Sequence, residues 1–259
     1  MATYLITGSS RGLGLSLVTR LASLPNSEVG TIIATSRQDN SPRLRDLVDN
    51  SSGRVRFVPM DVTDSQSVQE AVRRVEERLQ GRGVDVLVNN AGVFPKGKNW
   101  EDMYVTTVLL YMDVVKRLMI RRTCLNDAFN VNVTSVHQVT SAFLPLLRQG
   151  QKKTVANMYS PPYIPTLYIK HRLRNRSTSL GSISLSQQSH SMPGPAYKIT
   201  KAALNMLTAQ YAHTYAKEGF VIFALSPGVR PSSYGPIRSG KNGRLTCAVA
   251  TNRHGRSAR

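Results

Sequence analysis

A chain of 259 residues, 41% hydrophobic and 19% charged, is long enough for one α/β domain with a large core, and its composition excludes wholesale disorder. Cys124, Cys247 and five scattered histidines are too few and too far apart for a disulfide framework or a metal cluster, so no metal is expected. The formal charge of +19 points toward polyanions, yet +14 of it lies in the three stretches 103–124, 160–176 and 229–259. No recognition motif accompanies that charge, and a specific nucleic-acid partner is not expected. The N-terminus carries neither a basic leader nor a long apolar run, which predicts no secretory signal and, by default, a cytoplasmic protein. Asp113 interrupts the apolar residues that follow Met103, so a membrane span is not expected there.

In chain order, Thr3 to Thr7 is a short β-prone run that enters Gly8-Ser9-Ser10-Arg11-Gly12-Leu13-Gly14, and an amphipathic helix follows from Leu15. Strand, glycine turn and helix together let backbone N–H groups approach a phosphate at a helix N-terminus. Thr31 to Ser36 reads as a second strand, closed by Arg37 where an acidic residue would bind free ribose hydroxyls. An arginine suits the 2′-phosphate of NADP, with Arg11 as reinforcement; the alternative for Arg37 is a solvated loop cation. Val55 to Pro59 is a third strand, leading to Asp61-Val62-Thr63-Asp64. Thr63 or Asp64 can cap a helix whose Val68, Val72, Val75 and Leu79 share a face. Val84 to Val88 is a fourth strand and runs into Asn89-Asn90-Ala91-Gly92. The alternation predicts a parallel, doubly wound sheet with its ligand at the strand C-termini. Further on, Tyr197 and Lys201 stand one helical turn apart in a segment without breakers. A nearby ammonium lowers a phenol pKa from about 10, which would let Tyr197 exchange a proton near neutral pH.

Thr7-Gly8 with Gly12 and Gly14, Asp61-Val62, Asn89-Asn90-Ala91-Gly92, Asn132, Tyr197 with Lys201, and Pro227-Gly228 stand in the order found in short-chain dehydrogenases/reductases. The chain resembles that family from about residue 3 to 228. Gly181-Ser182-Ile183-Ser184 resembles the branch of C-factor-like and sniffer-like carbonyl reductases. The resemblance implies an α/β Rossmann fold, a mostly parallel sheet in a three-layer α/β/α sandwich, and NADPH-dependent reduction of a small carbonyl compound to an alcohol. It also implies roles. Tyr197 donates the proton, Lys201 tunes it and holds the nicotinamide ribose, and Asn132 anchors a water chain, although it could equally be an ordinary polar helix residue. Gly8, Ser10, Arg11, Gly12, Leu13 and Gly14 hold the pyrophosphate, Arg37 the 2′-phosphate, and Asp61 and Val62 the adenine. Asn89, Ala91 and Gly92 line the adenosine ribose and neighbouring backbone, and Pro227 and Gly228 lie by the nicotinamide. A homodimer or homotetramer through the helices of Asn132 and Tyr197 is the corresponding family expectation.

Three stretches depart from the family pattern. Met103 to Cys124 and Tyr159 to Arg176 read as insertions in a domain spanning 1–228, and Val229 to Arg259 reads as a basic, disordered tail. The tail stands where the substrate-covering helix and the last edge strand would be, so that strand is expected to be missing. Counting back from Gly181 places the catalytic hydroxyl on Thr178, with Ser160, Ser177, Ser179 and Ser182 as alternatives. The rival expectation is a catalytically impaired nucleotide-binding or interaction protein on the same fold, the product of mis-splicing or a frameshift.

Overall fold

Short runs of β-branched and aliphatic residues form strands buried on both faces, as parallel sheets require. The computed structural model describes residues 1–39, 41–94, 124–158, 181–184, 186–189 and 194–225. Among them are β1 (Ala2–Thr7), β2 (Val29–Ser36), β3 (Val55–Pro59), β4 (Val86–Asn89), β5 (Thr154–Met158) and β6 (Val221–Leu225). They form one parallel sheet in the order β3-β2-β1-β4-β5-β6. Chain direction across the sheet reverses between β1 and β4, and a ligand crevice opens at the C-terminal ends of strands at such a switch point.

The helices are α1 (Gly12–Ala22), α2 (Pro42–Asp49), α3 (Ser65–Leu79), α4 (Cys124–Phe129), α5 (Ser135–Gln149) and α6 (Pro195–Thr214). Register explains the three layers. Ile33, Leu5, Leu87, Val155 and Ile222 pair across the sheet and face a core shared with α3 and α5. One residue further on, Ala34, Ile6 and Val88 pair in turn and face the core under α1 and α2. On α3 the fully buried stripe is Val68, Ala71, Val75 and Leu79, with Val72 at its edge. Asp64 caps that helix by accepting from the Gln66 N–H at 3.0 Å, and Ser41 caps α2. No helix among the described residues is long and apolar enough to cross a membrane. Of the two insertions, Cys124 opens α4; residues 103–123 and 159–176, the tail and any last edge strand lie outside the described residues.

At the opposite end of the sheet, Asp85 is 7% exposed and accepts three backbone N–H bonds, from Thr3 (2.7 Å), Gln151 (2.7 Å) and Lys152 (3.2 Å). One carboxylate therefore fixes the start of β1 and the approach to β5 against β4. Hydrogen bonds to a charged acceptor contribute more than neutral ones, and buried donors left without a partner carry their desolvation cost. Asp85→Ala is expected to lower unfolding stability by about 2–4 kcal/mol, measured by urea denaturation, with Asp85→Asn intermediate.

Candidate active site

The turn after β1 is built around a close approach. A Cβ on Gly14 would meet the Gly8 carbonyl oxygen at 2.2 Å and Asn90 Nδ2 at 2.5 Å, so only glycine lets α1 pack against the turn there. The Thr7 hydroxyl accepts the backbone N–H groups of Asn90 and Ala91, both at 2.9 Å. Asn90 Nδ2 returns two bonds, to the carbonyls of Thr7 (2.8 Å) and Gly8 (3.1 Å). The two loops flanking the switch point are thus clasped together. Ser9 is bound into the sheet, its N–H on Thr35 O at 2.9 Å and its hydroxyl on Ile6 O at 2.8 Å.

The N-terminus of α1 differs from those of α2 and α3. Its N-cap is Arg11, with no side-chain cap bond and no acid in the first turn. Gly12 leaves open space where a side chain would stand. Uncapped N–H groups, a cation at the positive end of a helix dipole and room for close approach together fit a pyrophosphate. Arg11 and Arg37 are both exposed. Burial pushes the Asp61 carboxyl up, but hydrogen bonds from the Thr63 hydroxyl and amide and the Arg37 charge outweigh it and leave it below its ordinary value. The Arg37 charge is therefore felt at Asp61 across the ends of β2 and β3, without a direct ion pair between them. Val62 packs partly into the core.

On α6, Tyr197 and Lys201 are 4% and 5% exposed. The ammonium lies 5.4 Å from the phenol ring centroid and donates to the carbonyl of Met158, the last residue of β5, at 3.2 Å. Burial lowers the Lys201 pKa to about 8 and raises the Tyr197 pKa well above its ordinary value. The spacing of the pair predicts the opposite direction for the tyrosine. Desolvation dominates because the phenol is enclosed. Asn132, 1% exposed, sits in a π-helical turn, Asn130–Thr134, between α4 and α5. Its Oδ1 accepts the Val93 N–H at 2.9 Å, and its Nδ2 donates to Val93 O (2.9 Å) and Thr200 Oγ1 (3.2 Å). Extra-residue turns of this kind recur at functional sites because they redirect a side chain within a helix. The amide here joins α5 to the loop after β4 and to α6.

Two expectations need correction or restriction. The Asn89 amide is 3% exposed and points inward, donating to Thr140 Oγ1 (3.0 Å) and Asn157 Oδ1 (2.8 Å). Committed there, the side chain lies on the face of the sheet that packs against α5 and α6, so any contact of Asn89 with a ribose would fall to its backbone. Thr178, Ser160, Ser177, Ser179, Pro227 and Gly228 lie outside the described residues, while Ser182 shares a 3.1 Å contact with Ser184. Sequence reading passed over Asn90, Thr200, Asn157, Thr140 and Thr208. Asn157 Nδ2 donates to Thr208 Oγ1 at 2.9 Å, completing a buried polar chain from α5 through β4 and β5 to α6. The available signal was an asparagine in an otherwise apolar strand, which must find buried partners.

Residues 2–162 match the family model described as short chain dehydrogenase. Short-chain dehydrogenase/reductase AacuF of Aspergillus aculeatus is 33% identical over 229 residues, 88% of this chain and 74% of that protein. The carbonyl reductase Sniffer of D. melanogaster is similar in structure, with a TM-score of 0.66 and 25% identity over 88% of this chain and 81% of its own. The NADPH-bound carbonyl reductase from chicken fatty liver gives 0.62 and 26% identity over 88% and 79%. The glycine turn, the switch-point crevice and the sequence match agree, and the chain belongs to the short-chain dehydrogenases, NAD(P)-dependent oxidoreductases on a Rossmann-like fold.

Proposed function

We propose that this protein reduces the carbonyl group of a small aldehyde or ketone to an alcohol with NADPH, through Tyr197 and Lys201. The observation that carries the reading is the enclosed Tyr197–Lys201 pair beside β5, one hydrogen bond removed from Asn132 through Thr200. The burial of this pair together with Asn132 favours an enzyme over an impaired nucleotide-binding protein. The carbonyl reductase likenesses support the substrate class. NADPH over NADH rests on Arg37, whose charge is felt at Asp61, with Arg11 at the head of α1. A cytoplasmic location and a homodimer or homotetramer through α5 and α6 belong to the same proposal.

When bound, NADPH supplies the hydride that forms the new C–H bond. The residues of the chain do the rest. The phenol of Tyr197, kept neutral by burial, gives its proton to the carbonyl oxygen and closes the O–H bond of the alcohol. The phenolate left behind faces the Lys201 ammonium in a desolvated site, where opposite charges attract strongly. Asn132 fixes Thr200, which lies between the pair on α6, and so holds their height above the sheet. Gly8, Ser10, Gly12, Leu13 and Gly14 offer backbone N–H groups to the pyrophosphate, and Asp61, Val62, Ala91 and Gly92 line the adenosine half. Thr178 is assigned the hydroxyl that orients the carbonyl, and Pro227 and Gly228 are assigned to the nicotinamide half of the cofactor.

Tyr197→Phe is expected to lower kcat by roughly 10²–10⁴-fold in NADPH oxidation assays with aldehydes, ketones and quinones, since general acids contribute about that much. Fluorescence titration should find NADPH affinity little changed, and turnover surviving at the wild-type rate would refute the assigned acid. Arg37→Ala should weaken NADPH binding by about tenfold and leave NADH within about threefold, because an ion pair with the 2′-phosphate accounts for the difference.

The Lys201 shift has a stability consequence. Its folded pKa of about 8 lies below the ordinary 10.5, so the unfolded chain binds the extra proton between those values. Stability of the cofactor-free protein should therefore rise with pH from about 8 until Tyr197 begins to oppose it above 10.0, where the unfolded phenol ionises first. Chemical denaturation at fixed pH measures this, and Lys201→Met should flatten the rise, leaving the part due to Lys198, whose pKa burial also lowers.

A further inference from the structure

We propose that Phe94, seated on Gly194, is the wall of the substrate pocket that selects carbonyl compounds carrying an aromatic ring next to the reacting carbon. The inference rests on the reading of Tyr197 as the proton donor. Phe94 directly follows the loop that Asn132 holds through Val93. Its ring centroid is 5.1 Å from that of Tyr197, with the planes inclined at 60°. This is the tilted arrangement aromatic rings prefer. Despite that contact Phe94 remains 41% exposed, and its neighbour Val93 42%.

Gly194 explains why the ring can lie there. It precedes α6 in a left-handed conformation, φ +88°, and a Cβ on it would stand 2.6 Å and 2.8 Å from Phe94 Cζ and Cε2. The phenyl edge therefore rests directly against backbone, at a point where any side chain would displace it. Backbone on one side and the catalytic phenol on another fix the ring, and its remaining surface stays open. Exposed Ile183 belongs to the Gly181–Ser184 stretch, which Asn205 on α6 ties down through the Gly181 carbonyl at 3.3 Å. A large apolar side chain left open against the proton-donating phenol, as Phe94 is, is the feature of a ligand-binding wall. A flat ring attached to the carbonyl can stack against Phe94 while the oxygen meets Tyr197. A short alkyl chain gains little there.

The test compares kcat/KM at saturating NADPH for benzaldehyde and 2-naphthaldehyde against propanal and butanal, in the wild type, Phe94→Ala and Phe94→Leu. The leucine variant keeps apolar volume and guards against a failure of the alanine variant to fold, with circular dichroism as the check. Phe94→Ala should lower the aryl values about tenfold and leave the alkyl values within about threefold, the scale of one aromatic contact. Gly194→Ala should lose the same aryl preference by displacing the ring. Its added effect on that preference should shrink in the Phe94→Ala background. Equal losses on all four aldehydes would make Phe94 a positioning residue for Tyr197 and overturn the proposal, as would no loss at all. A wild type that binds NADPH yet reduces none of these or any ketone or quinone would refute the carbonyl-reductase reading itself, an outcome distinct from altered selectivity.

Discussion

The catalytic end of this molecule depends on a buried line of amides and hydroxyls. Thr140 on α5, Asn89 on β4, Asn157 on β5 and Thr208 on α6 are each nearly inaccessible, and each is bonded to the next. Apolar contacts between helix and sheet are non-directional and tolerate sliding, whereas hydrogen bonds in a low-dielectric interior do not. The line therefore sets how far α5 and α6 rise along the strands. Everything above it inherits that registry. Asn132 lies two turns N-terminal to Thr140, and Lys201 lies two turns N-terminal to Thr208. Their mutual placement follows from partners well below the crevice.

Desolvation then gives the site its chemical character. A lysine held at a pKa of about 8 carries a cost of roughly 3 kcal/mol in the folded state, which the Met158 carbonyl and the face of the Tyr197 ring offset only in part. The energy comes from the well-packed cores on both faces of the sheet. In the proposed reaction, negative charge developing on the phenol would add an attraction that the resting protein lacks. The same enclosure that makes the ammonium costly makes its attraction for an oxyanion strong.

Much of this was legible in the sequence. Strand and helix periodicity fixed the alternation of elements, and the glycines marked the turn after β1, because close approach at Gly8 and Gly14 leaves no other residue a place. Tyr197 and Lys201 were legible as neighbours, since helical spacing is local. The sign of the tyrosine shift was not, because it depends on how much of the phenol the tertiary structure encloses. The inward turn of the Asn89 side chain was not legible for a related reason. Adjacent strand residues point to opposite faces, and whether Asn89 or Asn90 turned toward the crevice depended on where β4 ended, which single-sequence reading places less exactly than the strand itself. The hydroxyl matched to Thr178 by counting belongs to a stretch where spacing departs from the family, so counting no longer identifies the residue.

The π-helical turn between α4 and α5 has a geometric corollary. One additional residue in a helix with about 3.6 residues per turn rotates everything before it by roughly 100° relative to everything after it. The buried side of α4, marked by Ala128, and the buried side of α5, marked by Val136, Val139 and Phe143, are therefore aligned only because Asn130–Thr134 absorbs the mismatch. A chain one residue shorter in that turn would form the better helix and present the worse protein. Its hydrogen bonds would be regular, but either Ala128 would leave the core or Asn132 would swing away from Val93. The irregularity acts as a phase correction, letting one continuous helical rod serve a hydrophobic interior along its length and a polar crevice near its start.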